Sequence, residues 1–251
     1  MARLKVVLFI ALAAISFCGF LISLLPASLF FALLPAEIKT ADDLVIGQPL
    51  GTIWSGNTTI AFRNFPPSSV QWQFDGISIN NATPAARYHL QITGPHHEIT
   101  AGFTLSESQM NLHQLRGSIH ADDINQLSAE YGHHFSGELV FYGVSLTTNF
   151  HCLQSLAGQI DWDGGSVMLN VKDPPLRLEL PPMTGFLDST DCNASLAVKA
   201  QSDNLMIIHL QPSGWVEVQI FQTMLSLAGL SEPRPASKDQ QPVLLFEEKI
   251  L

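Results

Sequence analysis

The sequence predicts a mainly β protein, an antiparallel sheet domain carried by one N-terminal transmembrane helix. Three observations predict it. Residues 6–36 contain no charged side chain, and about 20 apolar residues suffice to cross a hydrocarbon core. After residue 36, apolar and polar residues alternate in short runs broken by Gly, Pro, Asn and Asp. That is the pattern of strands with one face buried and the other wet. Helical periodicity is confined to two short segments, 122–131 and 221–230.

Taken in order, the apolar stretch comes first. Arg3 and Lys5 precede it, and Glu37, Asp42 and Asp43 follow it. Positive charge is retained in the cytoplasm during insertion, so the start of the chain is cytoplasmic and the bulk lies outside. The competing reading is a cleaved signal peptide, whose apolar region runs to about 7–15 residues. Here the run is longer and no A-x-A site ends it. Cys18 follows Ile15-Ser16-Phe17, which is wrong for a lipoprotein site. Pro26 interrupts the stretch. Either one span kinks there, or residues 27–34 lie as a short helix along the outer surface, with Phe30 and Phe31 at the interface.

The organisation that follows is an anchor at 1–36, a β-rich domain at 37–230 and a flexible tail at 231–251. Within the domain, Val70, Trp72 and Phe74 alternate with polar neighbours, as do Tyr88, Leu90 and Ile92. Further runs recur at 99–105, 139–146, 167–171, 176–180, 196–198 and 216–220. An internal echo links Gly51-Thr52-Ile53-Trp54-Ser55-Gly56 to the stretch carrying Gly158, Ile160, Trp162 and Gly164. It reads either as a repeated, curved β-unit or as the ordinary recurrence of Gly and Trp among strands. Trp54, Trp72, Trp162 and Trp215 are expected to face the core; the alternative is that they line an exposed groove that accepts a partner's strand or an acyl chain. The tail is rich in Pro and Ser, and its last run, 243–251, could dock on the domain or on a partner.

Cys152 and Cys192 both lie outside the membrane on this topology, and two cysteines in an oxidising compartment read as one disulfide, the alternative being two buried free thiols. The formal net charge of −10, from 12 Lys and Arg against 22 Asp and Glu, argues against nucleic acid or an anionic membrane surface as partner.

Catalytic sets are near misses only. His97-Glu98 begins a zinc-protease pattern, but Ala101 stands where the second His is required. His96-His97 and His133-His134 are adjacent pairs, expected in exposed turns. Asp161-Trp162-Asp163-Gly164 has calcium-like carboxylates without the later Glu, and its D-G step is a hairpin signal. No nucleophile elbow, phosphate loop or dinucleotide motif occurs. The expectation is therefore no enzyme, no metal and no cofactor.

The chain resembles a known family at this point. An N-terminal anchor, Leu34-Pro35-Ala36 or Leu25-Pro26-Ala27 after it, and then Gly51-Thr52-Ile53-Trp54-Ser55-Gly56 look like protein N of the bacterial type II secretion system. Cys152, Leu156, Gly158, Ile160, Trp162 and Cys192 look like its cysteine-bearing second half. The resemblance implies a non-enzymatic inner-membrane component with its bulk in the periplasm, in contact with other secretion components. Such a component aids assembly or transport of folded proteins across the outer membrane. The alternative is a lipid carrier, a curved sheet whose apolar inner face shelters lipid between the membranes. An open apolar groove would favour the carrier, and a filled core would sink it.

Overall fold

The computed structural model describes residues 2–32, 43–80, 83–149, 151–170, 175–229 and 242–249. Leu34-Pro35-Ala36, the 36/37 boundary and most of the segment read as a tail lie outside the described residues.

The chain opens with α1 (Ala2–Ser23), whose apolar sequence has nothing to break it before the Pro26 region. Proline lacks the N–H needed to extend the ladder, and a separate short helix α2 (Ala27–Ala32) begins after it. Described side chains of α1 begin at Phe9, and those of Phe9, Ile15 and Phe17 are exposed. Among the described residues, no helix is long and apolar enough to cross a membrane.

Strands follow almost without interruption. They are β1 (Leu44–Ile46), β2 (Leu50–Gly51), β3 (Ser55–Phe62), β4 (Phe65–Asn80), β5 (Thr83–Thr93), β6 (His97–Ser106) and β7 (Met110–His120). After α3 (Ala121–Leu127) and a 3-10 turn (Ala129–Tyr131) come β8 (His134–Phe135), β9 (Glu138–Thr148) and β10 (Leu153–Trp162). Next are β11 (Gly165–Leu169), β12 (Leu176–Leu180), β13 (Met183–Thr190), β14 (Asn193–Ala200), β15 (Asp203–Leu210) and β16 (Trp215–Ile220). Helix α4 (Gln222–Leu227) and β17 (Leu244–Lys249) complete the described chain.

Fourteen strands form one sheet in the order β1-β3-β4-β5-β6-β7-β9-β10-β13-β14-β15-β16-β17, with β2 paired to β3. Its neighbours pair antiparallel. A second sheet holds β12-β11-β8. The alternation seen in the sequence is thus antiparallel pairing, as expected. Residues 244–249 of the segment read as a tail pair with β16.

Register aligns the apolar residues into rows across the sheet. One row runs Gly117, Phe141, Ile160, Gly185, Val198, Met206, Ile220 and Leu244 from β7 to β17. Another runs Phe74, Tyr88, Phe103, Leu112, Leu146 and Leu156 from β4 to β10. One face of the sheet is therefore apolar over most of its width, because a period of two places every second side chain on one side.

Two local readings are corrected. Asp163-Gly164 joins β10 to β11, which lie in different sheets, so the D-G step is a crossover rather than a hairpin. Asp163 Oδ1 accepts the Glu138 N–H at 2.8 Å, which holds the corner. The cap of α3 is His120, whose Nδ1 accepts from the Asp122 N–H at 3.3 Å, and Asp122 lies within the helix.

Candidate functional site

The apolar face is finished differently along its width. Over β9 to β16, the small sheet β8-β11-β12 and helices α3 and α4 sit on it. Val167, Leu178, Leu180, Met183 and Leu205 form a buried cluster there, with Trp162, Phe135, Val198 and Met224 against it. A cavity of about 370 Å³ remains beneath this layer. The Trp162 indole donates to Ser136 O at 2.9 Å and so ties β10 to the loop beside β8.

Over β3 to β7, among the described residues, the cover is lighter: α3 touches β4 and β7, and α2 stands over the hollow between Val70 and Phe103. A hollow of about 140 Å³ is lined by Ala27 of α2, Ile53, Val70, Trp72, Tyr88, Leu90 and Phe103. Trp72, Tyr88, Leu90 and Phe103 are each half-buried, with their polar sequence neighbours Gln71, Gln73 and His89 exposed on the opposite face. Aromatic rings step across the strands: Trp54 to Phe74 at 4.8 Å, Phe74 to Tyr88 at 5.5 Å and Tyr88 to Phe103 at 6.4 Å. Burial pushes the Tyr88 phenol above its ordinary pKa.

The Gly51–Gly56 motif explains how this region begins. Gly51 adopts φ +95°, and Thr52 N–H donates to Ser55 O at 2.9 Å, closing the β2–β3 corner. A Cβ on Gly56 would run into the Trp72 ring and Leu50 O, so only glycine lets the indole lie across β3. Trp72 Nε1 donates to Thr52 O at 3.0 Å. Trp54 is half-buried and Trp215 is 45% exposed, so neither is the core residue the sequence suggests. The Trp54 indole N–H donates to Ile22 O of α1 at 3.0 Å, and Ile53 N–H donates to Leu25 O at 3.0 Å. Together these bonds seat the end of α1 on the domain. Gly158 plays the parallel part in β10, where a Cβ would meet the Val144 backbone of β9.

Cys152 and Cys192 form a disulfide with Cα atoms 5.0 Å apart. It joins the start of β10 to the start of β14, beside the bridge between Leu153 and Cys192. Cys18 is free and exposed on α1. Arg3 and Lys5 lie in the first turns of α1.

Sequence reasoning missed one constellation. His97 of β6 is buried rather than in an exposed turn. Its Nδ1 lies 2.6 Å from Asp123 Oδ2 on α3, and its Nε2 lies 2.8 Å from Ser68 Oγ on β4. Asp123 Oδ2 also accepts the His96 N–H at 3.2 Å, and Oδ1 is 3.0 Å from His96 Nδ1. Burial pushes the Asp123 carboxyl up, but the bonds from His97 and His96 outweigh it and hold it below the usual carboxylate range. These three residue types in this order are those of a hydrolytic triad. Access decides against that chemistry. Ser68 is 3% exposed, Asp123 0%, and Phe65 packs on the imidazole at 5.0 Å. Ser68 Oγ also donates to Pro66 O at 3.2 Å. The cluster pins α3 to the sheet. The signal was thinly spread: Ser68, His97 and Asp123 are far apart in sequence, and no local motif joins them.

No group of three or more His, Cys, Asp or Glu among the described residues is placed to hold a metal. A family model for protein N of the type II secretion system matches residues 42–237. No curated protein and no solved structure matches the chain.

Proposed function

Because the chain belongs to the type II secretion system protein N family, we propose that it is a non-enzymatic, inner-membrane-anchored component of that machine. In this reading α1 crosses the inner membrane with its start in the cytoplasm, and the β domain stands in the periplasm. The observation that carries the reading is the family match, which extends over the sheet from β1 to α4.

Three further observations support it. Residues 6–36 carry no charged side chain, and about 20 apolar residues suffice for a hydrocarbon core. Arg3 and Lys5 at one end and Asp42 and Asp43 beyond the other favour a cytoplasmic start. The Cys152–Cys192 disulfide suits an oxidising compartment. The domain contributes a surface to assembly or transport of folded proteins, through contacts with other secretion components, and its buried Ser68 offers no nucleophile.

The test is crosslinking of the tagged full chain in membranes of its own host, followed by pull-down. Recovery of other type II secretion components is expected. A crosslinked protein that recovers none of them would sink the reading.

A further inference from the structure

The open part of the apolar face has a shape and chemistry that select its occupant. We infer that it is a binding gutter for the acyl chains of membrane phospholipid, entered beside α2. The inference rests on the anchored placement proposed above and goes beyond it by naming a ligand.

The first argument is polarity. A sheet face, unlike a sheet edge, has its backbone N–H and C=O groups consumed by strand pairing. An extended peptide laid on it would leave its own amides unsatisfied, at a cost of kilocalories for each. A hydrocarbon chain has no such groups. The hollow at Val70, Trp72, Leu90 and Phe103 offers carbon surface almost throughout.

The second argument is position. Ala27 of α2 borders this hollow and is 1% exposed. The α1–α2 junction is fastened to the domain by Trp54 and Ile53. The mouth of the gutter is thus held beside the residues that end the anchor, where an outer-leaflet lipid would be within reach.

The third argument is continuity. The row Phe74, Tyr88, Phe103, Leu112, Leu146 and Leu156 runs on from the hollow, from β4 to β10. Five steps of about 4.8 Å make roughly 24 Å, long enough for an extended acyl chain to lie across the strands. Apolar residues of the rows stay half-buried rather than sealed, Leu112, Leu146 and Leu156 among them.

The experiment places a benzoyl-bearing photoreactive phenylalanine at Tyr88, at Phe103, or at Gln91 on the opposite face. The full chain is reconstituted in vesicles of phosphatidylethanolamine and phosphatidylglycerol, irradiated and analysed by mass spectrometry. Lipid adducts at Tyr88 and Phe103 are expected to exceed those at Gln91 at least about tenfold. Leu90→Asp should cut the adduct at Tyr88 by at least about tenfold, since a carboxylate among apolar chains is costly to desolvate. Should Leu90→Asp fail to fold, the comparison of the three positions decides alone. Equal labelling at all three positions, or no lipid adduct at any, overturns the inference. Photo-adducts in host membranes that are peptides and never lipids also overturn it. Secretion components recovered without lipid adducts sink the gutter and spare the family role. Lipid adducts without secretion components do the reverse.

Discussion

Strands β9 to β16 and strands β3 to β7 present the same kind of face, alternating apolar residues aligned by antiparallel register, yet among the described residues only the first group lies under a full layer. The cover is β8-β11-β12 with α3 and α4, and under it Leu205 is 0% exposed. In the other half the comparable residues, Leu90 and Phe103, remain half-buried in the hollow beside Ala27 of α2. The two finishes teach that alternation specifies a sheet with an apolar side and leaves the use of that side open. One half spends it on stability; the other keeps it available. The groove and the filled core set out as alternatives in the sequence both occur, in neighbouring regions.

The border between the halves is α3. On one side Asp123 reaches His97 and His96 of the β6 region. On the other, Asn125 exchanges two bonds of 2.7 Å with the Phe135 backbone of β8. Breaking this border should have the largest effect. Asp123→Ala strips a buried imidazole of its partner and is expected to cost about 3–5 kcal/mol, read as a lowered denaturation midpoint. A cost under about 1 kcal/mol would mean that the cover holds without the pin. The pH dependence follows from the depressed carboxyl. Its contribution is present above the ordinary value near 3.9 and is lost as pH falls through the lower folded value. The gap between the parent and Asp123→Asn should therefore be widest near neutral pH and close in acid.

The disulfide lies in the covered half, at strand ends where Cys152 and Cys192 are 40 residues apart. Closing such a loop contributes about 4 kcal/mol in the chain-entropy model. Cys152→Ala with Cys192→Ala should lose up to that amount, and alkylation of the unreduced, denatured parent should label neither cysteine. Labelling of both would remove the covalent tie from the account.

The direct comparison is one leucine from each half. Leu205→Ala is expected to cost about 3 kcal/mol or more, because the site is sealed and cannot refill. Leu90→Ala should cost under about 1.5 kcal/mol, since its side chain already meets solvent. Equal losses would mean that the face over β3 to β7 is covered in solution as well. The smallest effect belongs to Trp54→Phe. It keeps the ring on Phe74 and removes only the bond to Ile22 O, at about 1 kcal/mol.

Much of the architecture was legible because period-two alternation is a local property of the chain. Val70-Trp72-Phe74 and Tyr88-Leu90-Ile92 announced strands, and Gly51-Thr52-Ile53-Trp54-Ser55-Gly56 announced the family. The candidate site was legible only in part. Trp54 and Trp72 stood out as large apolar residues, but their partners, the end of α1 and the backbone of Thr52, depend on how the corner closes. His97 looked like half of an adjacent pair in a turn, since burial and a partner on α3 leave no local trace. Asp163-Gly164 looked like a hairpin because the turn signal is the same whichever sheet the next strand joins.

By itself, the sequence determined an apolar N-terminal helix, a β-rich remainder with one apolar side to its strands, and two cysteines in reach of one another's compartment. These follow from residue spacing, charge order and composition. Only the tertiary structure decided which strands are neighbours, which half of the apolar face is sealed, and that Ser68, His97 and Asp123 meet. Those outcomes depend on pairings between residues tens of positions apart, and such contacts are set by the packing of the whole sheet rather than by any stretch of it.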